Sequence, residues 1–129
     1  MPERGNGSAP DSRDLAVAAA RAAAEKQGAR IVVLDMRDLI VITDYFVITS
    51  ASSDRQVRTI VEEIQKALKA QGVKAVRREG EVEARWVLLD FVDVVVHVFD
   101  EEQREYYDLE RLWRDAPVVG WEEADVASG

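Results

Sequence analysis

Two apolar runs, Trp86 to Phe91 and Val94 to Phe99, stand only two residues apart, and this spacing constrains the fold more than any other feature of the chain. A parallel return needs a crossover of a dozen or more residues, so the two runs must pair as an antiparallel hairpin. Alternation sets the faces. Trp86, Leu88 and Asp90 share one side of the first strand, and Val95, His97 and Phe99 share one side of the second. With Phe91 and Val92 as a two-residue loop, residue 90 pairs with 93, 88 with 95 and 86 with 97, which sets Trp86 opposite His97.

The rest of the chain supplies helices to cover such a sheet. From Asp11 or Ser12 to about Gln27 the sequence is dense in Ala, the best helix former, and Gly28 is a stop. Ile31 to Leu34 and Tyr45 to Ile48 read as covered strands, with a turn or short strand over Asp35 to Asp44. Ser53 and Gln56 form a capping box. Behind it Val57, Ile60, Val61, Ile64, Ala67 and Leu68 make one apolar stripe that must face a core, and Gly72 ends the helix. Val73 to Arg78 reads as an edge strand and Gly80 to Glu83 as a charged turn. Asp100 and Gln103 cap a last helix with Tyr106, Leu109, Leu112 and Trp113 on one face, limited by Pro117. The order α-β-β-α-β-β-β-α implies an α/β fold, a single domain over residues 11–117 with a mixed sheet of about five strands and helices packed on it. Residues 1–10 read as a flexible tail, and residues 118–129 as a loosely held acidic tail carrying Trp121.

Composition removes several function classes. The chain of 129 residues has no Cys and a single His, which excludes disulfides, thiolate metal sites, a cysteine nucleophile and a multi-histidine metal site within one chain. The first ten residues hold no apolar run of a signal peptide, and no stretch approaches the ~18–20 apolar residues of a membrane span, so neither export nor a membrane is expected. The net charge is −8, which argues against free nucleic acid as a ligand. It is also local. Residues 1–99 hold 15 acids against 14 bases and residues 100–129 hold 10 against 3, so the C-terminal segment suits a basic partner.

Chemistry-bearing arrangements are few. Thr49 to Asp54, between a strand and a helix, could present N–H groups and hydroxyls to an anion, but capping explains these residues more simply, and Asp54 would repel a phosphate. A strand, serines and then a helix also resemble the opening of a nucleotidyltransferase fold. That chemistry needs D-x-D on the next strand, whereas this chain has Glu79, Glu81 and Glu83 on a turn, and Asp90 and Asp93 beside the hairpin loop, where Asp is common for local hydrogen bonding. His97 is the only base that titrates near neutral pH. No Ser, Cys or Thr is set beside it by the sequence, so Trp86 with His97 and an acid reads as a binding platform rather than a triad.

The strings LDMRDL (Leu34 to Leu39), TDYFVITS (Thr43 to Ser50), SDRQV (Ser53 to Val57), WVLLD (Trp86 to Asp90), DVVVHVF (Asp93 to Phe99) and REYYDLERLW (Arg104 to Trp113) resemble, in order, the ribosomal silencing factor or Iojap family. The resemblance implies a nucleotidyltransferase-like topology without the catalytic carboxylates, no enzymatic activity and no cofactor or metal. It implies binding to the large ribosomal subunit at ribosomal protein fourteen, which blocks joining of the small subunit and represses translation under nutrient limitation. Its docking residues map onto Trp86, Leu88, Asp90, His97 and Tyr107. Homodimer formation is a further implied association, and the absence of a transit peptide favours the bacterial cytoplasmic form. The chain departs from the family where Ala51 and Val92 replace glycines usual in two turns. The alternative function is a divergent nucleotide-binding enzyme using Asp90, Asp93 or the Ser50 to Ser53 turn.

Overall fold

Helix α1 (Ser12–Glu25) is followed by β1 (Ala29–Asp35), β2 (Tyr45–Ala51), α2 (Asp54–Lys69), β3 (Arg77–Glu79), β4 (Trp86–Asp90) and β5 (Val94–Asp100), then α3 (Glu101–Tyr107), α4 (Leu109–Leu112) and β6 (Val118–Val119). The structure is a computed structural model and describes residues 11–122, so the N-terminal tail expected over residues 1–10 lies outside the described residues. The sheet has six strands in the order β3-β4-β5-β2-β1-β6. Its central pair, β2 and β5, is parallel, and α2 lies within the long crossover between them. The other pairings are antiparallel.

One face of the sheet carries Val33, Tyr45, Val47, Val87, Leu89, Val96 and Val98, all buried under α1 and α2. The alanines of α1, with Ala16, Ala19, Ala20 and Ala23 fully buried, allow the helix to lie close to the sheet. Helix α2 buries the expected stripe of Val57, Ile60, Val61, Ile64 and Leu68. Half of the expected capping box forms: Ser53 Oγ accepts from Gln56 N at 3.1 Å, but the Gln56 side chain reaches past the Ser53 N–H. The Gln56 amide then accepts from Ser52 N and donates to the carbonyl of Gln27, tying the start of α2 to the end of α1. The second face carries Leu34, Ile48 and Phe99, covered at one end by Leu109 and Ala116.

The hairpin register differs from the expected one by two residues. Trp86 pairs with Phe99, Leu88 with His97 and Asp90 with Val95, so Leu88, not Trp86, lies opposite His97. A two-residue loop of Phe91 and Val92 would place Phe or Val in left-handed conformations that favour Gly or Asn. The loop instead moves by one residue, to Val92 and Asp93, and confines that cost to Val92, at φ 75°. It is closed by Phe91 N to Val94 O at 2.9 Å, and Asp90 Oδ1 accepts from Val92 N at 2.8 Å. The shift of two preserves which side chains share a face.

Three further expectations change. Strand β3 is Arg77–Glu79 rather than Val73 to Arg78. The last helix is two short helices separated by Asp108 at φ 49°, which turns the intended stripe: Tyr106 and Leu112 are exposed while Leu109 is buried. The segment after Pro117 is not loose throughout. Asp35 N donates to Pro117 O at 2.8 Å, Val119 pairs with Val33 and is buried, and Trp121 Nε1 donates to Ile31 O at 3.2 Å. These contacts cover the β1 edge and add the sixth strand; residues 123–129 lie outside the described residues.

The fold also depends on a residue that no pattern singled out. Arg104, 1% exposed, donates to Ala29 O at 3.0 Å, Arg30 O at 2.6 Å and Ser50 Oγ at 3.0 Å, and pairs with Glu110 at 2.7 Å. The two carbonyls come from the irregularity in β1 between Ala29 and Val32, where Arg30 has φ 48°.

Two stability measurements follow. Val92→Gly relieves a β-branched residue at positive φ and should raise stability in urea denaturation by about 1 kcal/mol, less the entropy that Gly adds to the unfolded chain. Arg104→Met, which leaves two strand carbonyls and Glu110 without their donor, should lower it by about 3 kcal/mol.

Candidate partner-binding site

The second face of the sheet is the candidate site because α3 and α4 cover only one end of it. Gly80 sets where β4 begins: its φ is 82°, and a Cβ there would run into the carbonyl of Trp86. From this start Trp86, Leu88 and Asp90 project onto the half-covered face together with Val95, His97 and Phe99.

Trp86 is the hub of this face. Its ring lies 4.9 Å from Phe99 in a stacked arrangement and 4.5 Å from Tyr107. Its indole N–H donates to His97 Nδ1 at 3.2 Å, a diagonal contact that survives the change of register. His97 is also met edge-on by Phe46 at 4.8 Å, and Phe46 in turn by Trp113 at 6.1 Å. The half-buried Trp113 thus packs on the sheet side. Tyr107, half exposed, reaches Trp86 from the end of α3, which Arg104 fixes.

Burial among these rings holds His97 neutral by pushing its pKa down from 6.5 to about 4. Nδ1 accepts the indole proton, so the neutral ring carries its hydrogen on Nε2. That nitrogen is buried and has no partner, as is the Thr43 hydroxyl. Both residues line a groove of about 310 Å³ with Ile40, Ile42, Phe46, Arg77, Leu88, Asp90, Val92 and Val95. Asp90 also pairs loosely with Arg77 at 3.6 Å.

Of the five residues singled out from the sequence, Leu88, Asp90 and His97 meet in this groove, and Trp86 and Tyr107 form an adjoining aromatic step. Phe46 and Thr43 were missed. Period-two alternation marks Phe46 as a partner of Ile48, but the parallel pairing that sets Phe46 beside Val95 and Ile48 beside His97 joins segments far apart in sequence. The Thr49 to Asp54 turn is fully used in structure. Thr49 Oγ1 donates to Ala29 O, Ser50 Oγ accepts from Arg104 and Ser53 caps α2. Glu79, Glu81 and Glu83 are exposed, and Arg77 and Arg78 stand near the first two. Among the described residues, no group of three or more His, Asp or Glu is placed to hold a metal ion, and no helix is long and apolar enough to cross a membrane.

The geometry is that of a small α/β domain with one sheet face half open, floored by stacked aromatic rings and a neutral histidine. The chain belongs to the ribosomal silencing factor family: the model described as "Ribosomal silencing factor during starvation" matches residues 9–128. It is 46% identical over 101 residues to a Bacillus subtilis protein named ribosomal silencing factor RsfS, covering 78% of this chain and 86% of that one. It is 43% identical over 108 residues to the protein of the same name from Halalkalibacterium halodurans, covering 84% of this chain and 92% of that one. A crystal structure of a Chromobacterium violaceum protein superposes with a TM-score of 0.78 at 35% identity, covering 81% of this chain and 87% of that one. By name this is a family of regulatory factors.

The buried imidazole makes stability depend on pH. The unfolded chain binds a proton on His97 near pH 6.5 and the folded chain only near pH 4, so stability falls as pH drops through that window. Urea titrations should show a loss approaching 1.4 kcal/mol per pH unit between about pH 6 and 5, and His97→Gln should flatten that slope.

Proposed function

We propose that the protein silences the ribosome by binding ribosomal protein fourteen of the large subunit and excluding the small subunit by volume, repressing translation under nutrient limitation. The observation that carries this reading is the half-open aromatic face centred on Trp86, in a chain whose named relatives are ribosomal silencing factors. Trp86, Leu88, Asp90, His97 and Tyr107 are the proposed contacts. A central aromatic anchor beside apolar and charged neighbours is the usual composition of an energetic hot spot. An interface of roughly 800 Å² per partner fits on a domain of this size.

Charge supports a protein target on the ribosome rather than exposed RNA. Ten acids against three bases in residues 100–129 favour a basic protein surface and oppose phosphates. Binding in this way needs no chemistry, and the fraction of subunits silenced follows mass action. The proposed setting is the bacterial cytoplasm, where ribosomes are reached directly. A second copy of the chain is a further proposed partner, because β6 is an edge strand with Val118 exposed, and such an edge can pair with another chain.

Gradient sedimentation tests the reading. Added protein should migrate with large subunits and lower the amount of joined ribosomes; migration with small subunits, or none, defeats it. Trp86→Ala, if folded, should weaken that association by about 2 kcal/mol, or roughly thirtyfold.

A further inference from the structure

The groove beside Trp86 is apolar in its walls and polar at two points that nothing in the protein satisfies. His97 Nε2 and Thr43 Oγ1 are both buried without a hydrogen-bond partner, on residues 5% and 2% exposed that line the same groove. Most buried polar groups in folded proteins are paired, and an unpaired one costs stability. Two in one groove are therefore a cost that the free protein carries. The Trp86 indole occupies Nδ1, and Trp86 does not line the groove, so the ring edge left to the groove carries the Nε2–H donor.

The rim has a matching character. Val41 and Ile42 stand 99% and 83% exposed in the β1–β2 loop, and Val92 is half exposed on the hairpin loop opposite. Ile42 and Val92 both border the groove. An apolar rim around unpaired donors suits a neutral acceptor carried by an apolar group. A phosphate or carboxylate is disfavoured, because Asp90 lines the same groove and the walls are low in polarity.

The geometry points to this groove as the seat for one apolar side chain of the ribosomal protein, with a neighbouring carbonyl of that protein accepting hydrogen bonds from His97 Nε2 and Thr43 Oγ1. The inference rests on the proposed docking reading and adds Thr43 to the contact surface. Both polar atoms lie buried beneath the groove surface, so the incoming segment reaches them as groove side chains give way. Phe46, which touches the imidazole and lines the groove, is the side chain placed to move. His97 acts as a neutral donor. The groups facing it are the indole of Trp86, the rings of Phe46 and Phe99 and the side chains of Leu88 and Ile48, with Arg77 and Asp90 the charged groups of the groove.

Isosteric removal of the hydroxyl separates this role from a structural one, because the two readouts move in opposite directions. Thr43→Val deletes a buried unpaired group, so its thermal midpoint should rise by roughly 3–6 °C. Its association with purified large ribosomal subunits should nevertheless weaken about tenfold, the worth of one hydrogen bond. Thr43→Ser, which keeps the hydroxyl, should bind like the parent, and His97→Phe should weaken binding at least as much as Thr43→Val. If Thr43→Val and a folded His97→Phe bind subunits as the parent does, the inference fails and the docking reading stands. If the parent itself does not bind large subunits, both fail.

Discussion

The guanidinium of Arg104 is the contact on which the second face of the molecule depends. It leaves α3, enters the sheet and holds the carbonyls of Ala29 and Arg30 and the hydroxyl of Ser50, while Glu110 of α4 balances its charge. A planar fork with five donors can hold this divergent set; an ammonium cannot match the geometry. The consequence is spatial. With Arg104 fixed, the end of α3 brings Tyr107 onto Trp86, and α4 brings Leu109 over the sheet beside Leu34 and Ile48. The cover then reaches β4 only at Trp86, and the open region is what remains.

The two sheet faces are thus finished to different standards. Under α1 and α2 the packing is closed, from the fully buried alanines of one helix to the apolar stripe of the other. On the opposite face aromatic rings share one another's edges and faces, and the histidine among them is kept neutral by burial. Aromatic side chains suit this half-finished state. They fill area with few rotatable bonds, so a ring that waits partly exposed loses little entropy when a partner closes over it.

Much of this was legible in the sequence, and the failures at the candidate site share a cause. The hairpin, the Ser53 cap and the stripe on α2 depend on residues close together in the chain, and each formed. The faces of Trp86, Leu88 and His97 were legible because a shift of two residues preserves alternation, although the partner of His97 changed from Trp86 to Leu88. What was not legible depends on distant segments. Arg104 reads as one more charge in an acidic helix until Ala29, Arg30 and Ser50 arrive from two strands. Thr43 reads as a loop residue until β5 lies alongside β2. Asp108 broke the final helix because it takes a left-handed conformation that Asp tolerates better than most residues, and a periodic apolar pattern carries no warning of it.

Val92 shows how a local departure can spread without reaching the site. The hairpin needs one residue at positive φ, and a β-branched side chain occupies that position. The strain sits at the loop tip, relieved in part by the Asp90 carboxylate on the Val92 N–H. Asp90 is thereby committed to the turn and to Arg77, so it acts in the groove mainly as a fixed negative charge rather than as a free hydrogen-bond acceptor. A fixed carboxylate repels anions, unpaired neutral donors prefer carbonyls, and the exposed Ile42 at the rim favours an apolar neighbour, so the groove that is costly to the free protein is selective for a neutral acceptor beside an apolar group.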